Sequence, residues 1–204
     1  MGIYANYVLP RLTHLAMGQA QLRPYRERVV GGAKGRVLEI GIGSARNLPF
    51  YTDAVEEVVG IDSSPEMLAL AERAVAAGRL RKVTLLPRSA ESLPFEDRTF
   101  DTVVVTWSLC SIPRPVAALK EARRVLRPDG QLRFAEHGLS PDPGVRKWQD
   151  RLTPLWCRCS GGCHLNRKTD DLIRAAGFTL TQLTTGYARG LRPMSFMYEG
   201  CGVH

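Results

Sequence analysis

The sequence contains no run approaching the roughly 18 consecutive apolar residues that a membrane-crossing helix needs. Its N-terminus lacks the succession of basic patch, apolar segment and small-residue cleavage site that marks a secretory signal. A cytoplasmic protein with no integral membrane segment is therefore expected. No internal repeat, linker or low-complexity tract interrupts the 204 residues, so one domain with a full core is expected. Acids are the scarcer charge, 20 Asp and Glu against 28 Lys and Arg, which leaves a net charge of +8. The basic residues are mostly Arg and are scattered. No Lys/Arg block and no aromatic-basic interleaving occurs, so the excess reads as a solvated surface: DNA is not expected as a partner, and RNA is disfavoured. The five cysteines include no Cys-x2-Cys pair. Cys157, Cys159, Cys163 and His164 are close in sequence, but their spacing is wrong for a zinc knuckle, and Gly161-Gly162 reads as a flexible loop. Reduced thiols and no metal are expected.

What is present is organised around Arg36 to Asn47. The apolar run Val37 to Ile40 reads as a buried parallel strand, and Gly41-x-Gly43 ends it. Two residues without Cβ let the backbone turn tightly and approach a ligand. The phosphate-binding version of this loop wants a third small residue, and Arg46 stands there instead. Glu39, two residues before Gly41, suits a cationic or hydroxylated ligand better than a pyrophosphate. Val58 to Asp62 reads as a second strand ending in an acid, about twenty residues on, where a ribose-binding carboxylate sits. Ser64, Pro65 and Glu66 start a helix that Gly78 stops. Val83–Pro87 and Asp101–Thr106 read as strands three and four. Pro115–Leu126 is an amphipathic helix and Arg127-Pro-Asp-Gly130 a turn. Gln131–His137 is strand five. Thr169 caps a last helix that Gly177 stops, and Phe178–Tyr187 and Ser195–Val203 close the fold. Before the first strand, Met1 to Ala33 reads as helical pieces, with Pro10 and Pro24 as interruptions and Arg23, Arg26 and Arg28 on the second piece.

Glu39-x-Gly41-x-Gly43, Asp62-Ser-Ser-Pro-Glu-Met67, Ser89-Ala-Glu91 before Phe100-Asp101, and Leu126-Arg-Pro-Asp-Gly130 follow one another across Gly35 to Phe196. In their order and spacing they resemble the class I S-adenosylmethionine (SAM) methyltransferases of the methyltransferase domain 11 type. The resemblance implies an α/β fold, a Rossmann-like, seven-stranded, mostly parallel sheet flanked by helices with the last strand antiparallel. It implies an enzyme whose cofactor is S-adenosyl-L-methionine. Residues 1–35 would be an N-terminal helical cap, 36–138 the SAM-binding core, 139–168 an acceptor lid, and 169–204 a closing helix and strand pair. By this resemblance Glu39, Gly41, Gly43 and Ser44 lie along the methionine and ribose, and Asp62 and Ser63 at the ribose hydroxyls. Met67 and Ala90 face the adenine, Glu91 meets its amino group, and Thr106 and Trp107 border the sulfonium.

The acceptor is read from the strand ends. Methyltransferases of exocyclic amines usually carry Asn/Asp-Pro-Pro-Tyr/Phe after the fourth strand. Here that place holds Thr106-Trp-Ser-Leu-Cys110, which speaks against such acceptors. Glu136-His137 ends the fifth strand, and its imidazole is the general-base candidate; the alternative is a histidine that only shapes the pocket. This pair, with Leu109-Cys-Ser111 and Gly162-Cys-His-Leu-Asn-Arg167, resembles the bacterial relatives of the animal microsomal thiol methyltransferases. No counterpart of the animal proteins' N-terminal membrane anchor is expected in this sequence. The expectation is methylation of a small apolar acceptor, a thiol by preference, with His137 catalytic and Trp107, His137, Trp156 and Cys163 against the substrate. O- or C-methylation of a phenol or quinone is the alternative within this class, and a non-catalytic SAM-binding protein the alternative outside it.

Overall fold

The computed structural model describes residues 4–78 and 82–204. Seven strands form one sheet: β1 (Gly35–Ile40), β2 (Val55–Asp62), β3 (Val83–Pro87), β4 (Phe100–Thr106), β5 (Leu126–His137), β6 (Thr179–Tyr187) and β7 (Phe196–Val203), in the order β3-β2-β1-β4-β5-β7-β6. The first five run parallel, and β7 lies between β5 and β6, antiparallel to both. β1, β2 and β4 carry Val and Ile toward both faces of the sheet because both faces are covered. Alternate residues supply two cores. Leu38, Ile40, Val103 and Val105 pack with Leu119, Ala122 and Val125 of α4 (Pro115–Val125) and with Ile173 of α6 (Thr169–Ala175). Val37, Val58 and Val104 pack on the other face with Leu68 and Ala71 of α3 (Pro65–Ala77).

Strand order reverses between β1 and β4, so their C-terminal ends open a crevice. Three elements close over it: α1 (Leu9–Ala16), α2 (Arg23–Val29) and α5 (Pro143–Cys159). The short α7 (Arg192–Ser195) precedes β7. Among the described residues no helix is long and apolar enough to cross a membrane.

Several local expectations meet a different outcome. Pro10 and Pro24 begin α1 and α2 rather than interrupting them; a missing N–H costs nothing in a helix's first turn. Arg127 to Gly130 is not a free turn. Leu126 already pairs with Phe100 and Gln131 with Thr102, so the segment bulges out of β5, four residues against the single Asp101 of β4. Thr169 is the buried first residue of α6, and Lys168 precedes it without a side-chain cap. The other end of α6 closes as expected: Gly177 has φ 93°, its N–H donates to Arg174 O, and Phe178 N–H donates to Ile173 O. Cys157 and Cys159 belong to the last turn of α5, not to the loop that follows it.

Candidate functional site

At the end of β1 the chain passes through Gly41 (φ 70°) and Gly43 (φ 56°). A Cβ on Gly41 would lie 2.1 Å from Ser108 Oγ, so only glycine lets the β1 and β4 ends approach this closely. Asp62 ends β2 beside the loop. Its Oδ2 accepts Gly43 N–H at 2.9 Å and its Oδ1 accepts Ser64 N–H at 2.8 Å. Burial pushes the carboxyl up from the usual carboxylate range, and these N–H groups restrain the shift. Each oxygen keeps acceptor capacity for a hydroxyl. Ser64 Oγ accepts Met67 N–H and starts α3, which sets Met67 beside Gly43. Above the loop, His14 of α1 shares hydrogen bonds with Ser44 Oγ and Arg46, both at 2.8 Å, so α1 is tied to the glycine loop.

Glu39 is buried, and both of its oxygens are engaged: Asn47 Nδ2 donates to one at 2.9 Å and Tyr51 Oη to the other at 2.7 Å. Burial pushes its pKa up to about 7, against the pull of these two donors and of Arg26. Asn47 also donates to Thr106 Oγ1 and accepts from Arg26 Nε, which joins β1, β4 and α2 in one polar cluster. Arg26 lies over the Trp107 ring at 4.8 Å. Trp107 has φ 49°, a left-handed conformation that is costly for a bulky residue. Glu136 holds the strained turn: its Oε1 accepts Ser108 N–H at 2.7 Å and Leu109 N–H at 3.1 Å. Burial pushes Glu136 up to about 7 as well, while those two N–H groups favour its ionised form.

The next residue, His137, enters the cavity. Its Nε2 lies 3.2 Å from Cys163 Sγ, and Cys110 Sγ joins them so that the three atoms fall within 4.8 Å of one another. Contact with Cys110 and burial push the Cys163 thiol well up, so it stays protonated. The loop after α5 is docked by its backbone. His164 N–H donates to Cys110 O at 2.9 Å, and Cys157 Sγ donates to Cys163 O at 3.0 Å. Arg167 donates to Leu109 O and Ile112 O. The cluster read from sequence thus separates: Cys163 faces His137, His164 faces main-chain carbonyls, and Cys159 is exposed.

These parts line one cavity of about 820 Å³, with mostly apolar walls. Glu39, Gly41, Gly43, Ser44, Asp62, Ser63, Met67, Ala90, Thr106, Trp107, His137, Trp156 and Cys163 all border it. Glu91 does not. Its carboxylate is held by the Arg114 N–H and guanidinium at 2.9 and 2.7 Å, and Arg88, Ser89 and Ala90 present the loop to the cavity instead. Sequence reasoning gave no role to Cys110, Arg26 or His14. Cys110 was visible only as part of the Leu-Cys-Ser segment, and Arg26 and His14 acquire their places only when α1 and α2 fold over the sheet.

A family model described as "Methyltransferase domain" matches residues 38–134. A thiol S-methyltransferase, TMT1B of Rattus norvegicus, is 34% identical over 150 residues, 72% of this chain and 61% of its own length. A demethylmenaquinone methyltransferase of Bacillus cereus is 38% identical over 100 residues, 48% of this chain and 42% of its own. The chain thus spans less than two thirds of the length of these curated relatives. The crystal structure of the YcgJ protein from Bacillus subtilis superposes with a TM-score of 0.66 at 23% identity, over 81% of this chain and 72% of that one, which supports the fold. Glycine loop, acid-ended β2, reversed strand order and matched sequence agree: the chain belongs to the class I S-adenosylmethionine-dependent methyltransferases.

Proposed function

We propose that the chain methylates a small apolar acceptor, a thiol, using S-adenosylmethionine. When bound, this cofactor supplies a methyl group already activated by its sulfonium, so the protein's work is positioning and exclusion of water. The residues present suit it. Gly41 and Gly43 bring bare backbone to the cavity, Asp62 offers spare acceptor capacity for the ribose hydroxyls, and Met67 and Ala90 give apolar faces for the adenine. Ser44 and Ser63 complete that end, and Thr106 and Trp107 border the sulfonium. Glu39 acts through Asn47 and Tyr51, because both of its oxygens are engaged. Glu91, held by Arg114, orders the loop that carries Ala90.

The observation that carries the acceptor assignment is His137 beside Cys163 and Cys110 in the wall of an otherwise largely apolar cavity. A free thiol has a pKa of about 8.5 and is partly ionised already. His137 favours the thiolate and adds modestly to the rate, and Trp107, Trp156 and Cys163 shape the space around it. In this reading residues 1–35 cap the cavity, 36–138 are the cofactor core, 139–168 the acceptor lid and 169–204 the closing elements. The protein acts on small molecules in the cytoplasm. A second reading, methylation of a quinone or phenol, is favoured by the demethylmenaquinone methyltransferase relative.

The test is transfer of labelled methyl from S-adenosylmethionine to alkyl and aryl thiols, hydrogen sulfide, phenols, a quinol and total RNA. Label on thiols alone is expected. Label on phenol or quinol alone overturns the thiol assignment. Tight cofactor binding without transfer to any member favours a non-catalytic binding protein.

A further inference from the structure

The thiols of Cys110 and Cys163 and the imidazole of His137 come from three separate elements: the loop after β4, the loop after α5 and the end of β5. Cys110 and His137 are 27 positions apart, and His137 and Cys163 are 26. Their Sγ, Sγ and Nε2 atoms nevertheless lie within 4.8 Å of one another, and the Nε2 to Cys163 Sγ distance is 3.2 Å. Tetrahedral zinc, with Zn–S near 2.3 Å and Zn–N near 2.0 Å, sets its ligand atoms roughly 3.5–3.8 Å apart. The spacing here is therefore close to a metal's, with a closing movement of about 1 Å at most. All three residues also border the cavity. Their supports are built in: Glu136 fixes the Ser108 and Leu109 N–H groups just before Cys110, and the His164 N–H to Cys110 O bond ties the two cysteine loops together.

We infer that Cys110, His137 and Cys163 form a zinc site whose fourth position opens into the cavity and takes the sulfur of the acceptor thiol. Three protein ligands with one open position is the arrangement of catalytic rather than structural zinc sites. On taking up zinc the Cys110 and Cys163 S–H bonds break, two protons pass to solvent, and the two thiolates neutralise the ion's double charge. A third, from the acceptor, leaves one negative charge, and the half-buried Arg167 guanidinium beside both cysteines offsets it. On binding, the acceptor's S–H bond breaks, a sulfur–zinc bond forms and the proton passes to solvent. The ion thus holds the acceptor as a thiolate near neutral pH, and His137 serves as ligand. The same three atoms explain why a cavity lined with apolar side chains carries two buried cysteines and a histidine at one end. This inference rests on the thiol reading above and deepens it.

The experiment uses the full reduced chain and Co²⁺ alone as the probe. One Co²⁺ per chain is expected, with thiolate-to-cobalt charge-transfer absorption and a tetrahedral visible spectrum. Cys110→Ser, Cys163→Ser and His137→Ala should each weaken binding at least tenfold, while Cys201→Ser, whose thiol lies in β7 outside the cavity lining, binds as the parent does. Retained S-adenosylmethionine binding by calorimetry shows which variants are folded. Zn²⁺ protection of Cys110 and Cys163, but not Cys159, from alkylation gives the same answer without any variant. An alkyl thiol added to the Co²⁺ form should intensify the charge-transfer band, and a phenol should not. Absence of stoichiometric Co²⁺, undiminished binding in both serine variants, or a spectrum blind to the thiol each overturns the inference. So does a chelator-treated, metal-free protein that methylates thiols at the full rate. That last result leaves the methyltransferase reading standing, so the two fail separately.

Discussion

The half-buried Asp62 and the buried Glu39 are carboxylates in one cavity wall, yet their surroundings give them different work. Asp62 receives two backbone N–H groups and keeps capacity toward the cavity, whereas Glu39 spends both oxygens on Asn47 and Tyr51. Asp62→Ala should therefore lower S-adenosylmethionine affinity at least tenfold in calorimetry, a loss of about 1.4 kcal/mol or more. Unchanged affinity would refute its placement. Glu39 makes a pH prediction instead. Its pKa rises from 4.5 unfolded to about 7 folded, because burial disfavours the charge. A raised carboxyl pKa means that the folded chain holds the proton more tightly, so the stabilising contribution is complete below pH 4.5 and is lost as pH rises through 7. The stability of the parent relative to Glu39→Gln should fall by about 3 kcal/mol across that window in urea unfolding. A difference that does not change with pH would show that Glu39 is not the buried acid described. Both residues were legible as strand-end acids from their spacing to the glycines. What each one does was not, because Tyr51, Asn47 and Arg26 reach Glu39 only through the folded chain. Glu91 gives the same lesson: 23 residues separate it from Arg114, which captures it.

At the scale of elements, α5 holds the segments around His137 together through one side chain. Gln149 is fully buried; its Oε1 accepts Ser140 N–H, and its Nε2 lies within 3.0 Å of the carbonyls of Gly138, Leu165 and Pro193. It thereby pins the segment after β5, the cysteine loop and α7 to one helix. Two N–H bonds shared among three carbonyls leave no slack. Gln149→Leu, similar in volume but without partners to offer, should destabilise the fold by about 3 kcal/mol, since each stranded buried group costs about 1–3 kcal/mol. Urea unfolding with an unchanged midpoint would contradict this. Nothing in the amphipathic pattern of α5 singles out Gln149, because a buried glutamine looks like any other polar position until its neighbours are known. Arg127 to Gly130 failed in the opposite sense: Pro and Gly do mark a departure from the strand, but pairing on both sides keeps it within β5 as a bulge.

Over the whole molecule, the sheet was readable because parallel strands buried on both faces are rich in Val and Ile at successive positions, as in Val37–Ile40, Val58–Ile61 and Val103–Val105. The end of the cavity proposed for the cofactor was readable for a related reason: its glycines and acids sit at the ends of those strands. The other end was legible only in part: the resemblance pointed to His137, Trp156 and Cys163, but Cys110 joins them only where two loops meet the end of β5, and α1 and α2 fold across the crevice. We propose that one cavity has a cofactor end at Asp62 and a separate acceptor end at His137. The most direct test measures two quantities on the same preparations, the S-adenosylmethionine dissociation constant and kcat/KM for a small thiol. His137→Ala should leave the dissociation constant within about twofold of the parent while lowering kcat/KM for the thiol about tenfold, or about 1.4 kcal/mol. Asp62→Ala should lose cofactor binding itself. A His137→Ala protein that binds the cofactor as poorly as Asp62→Ala, or that methylates the thiol as well as the parent, would contradict the claim.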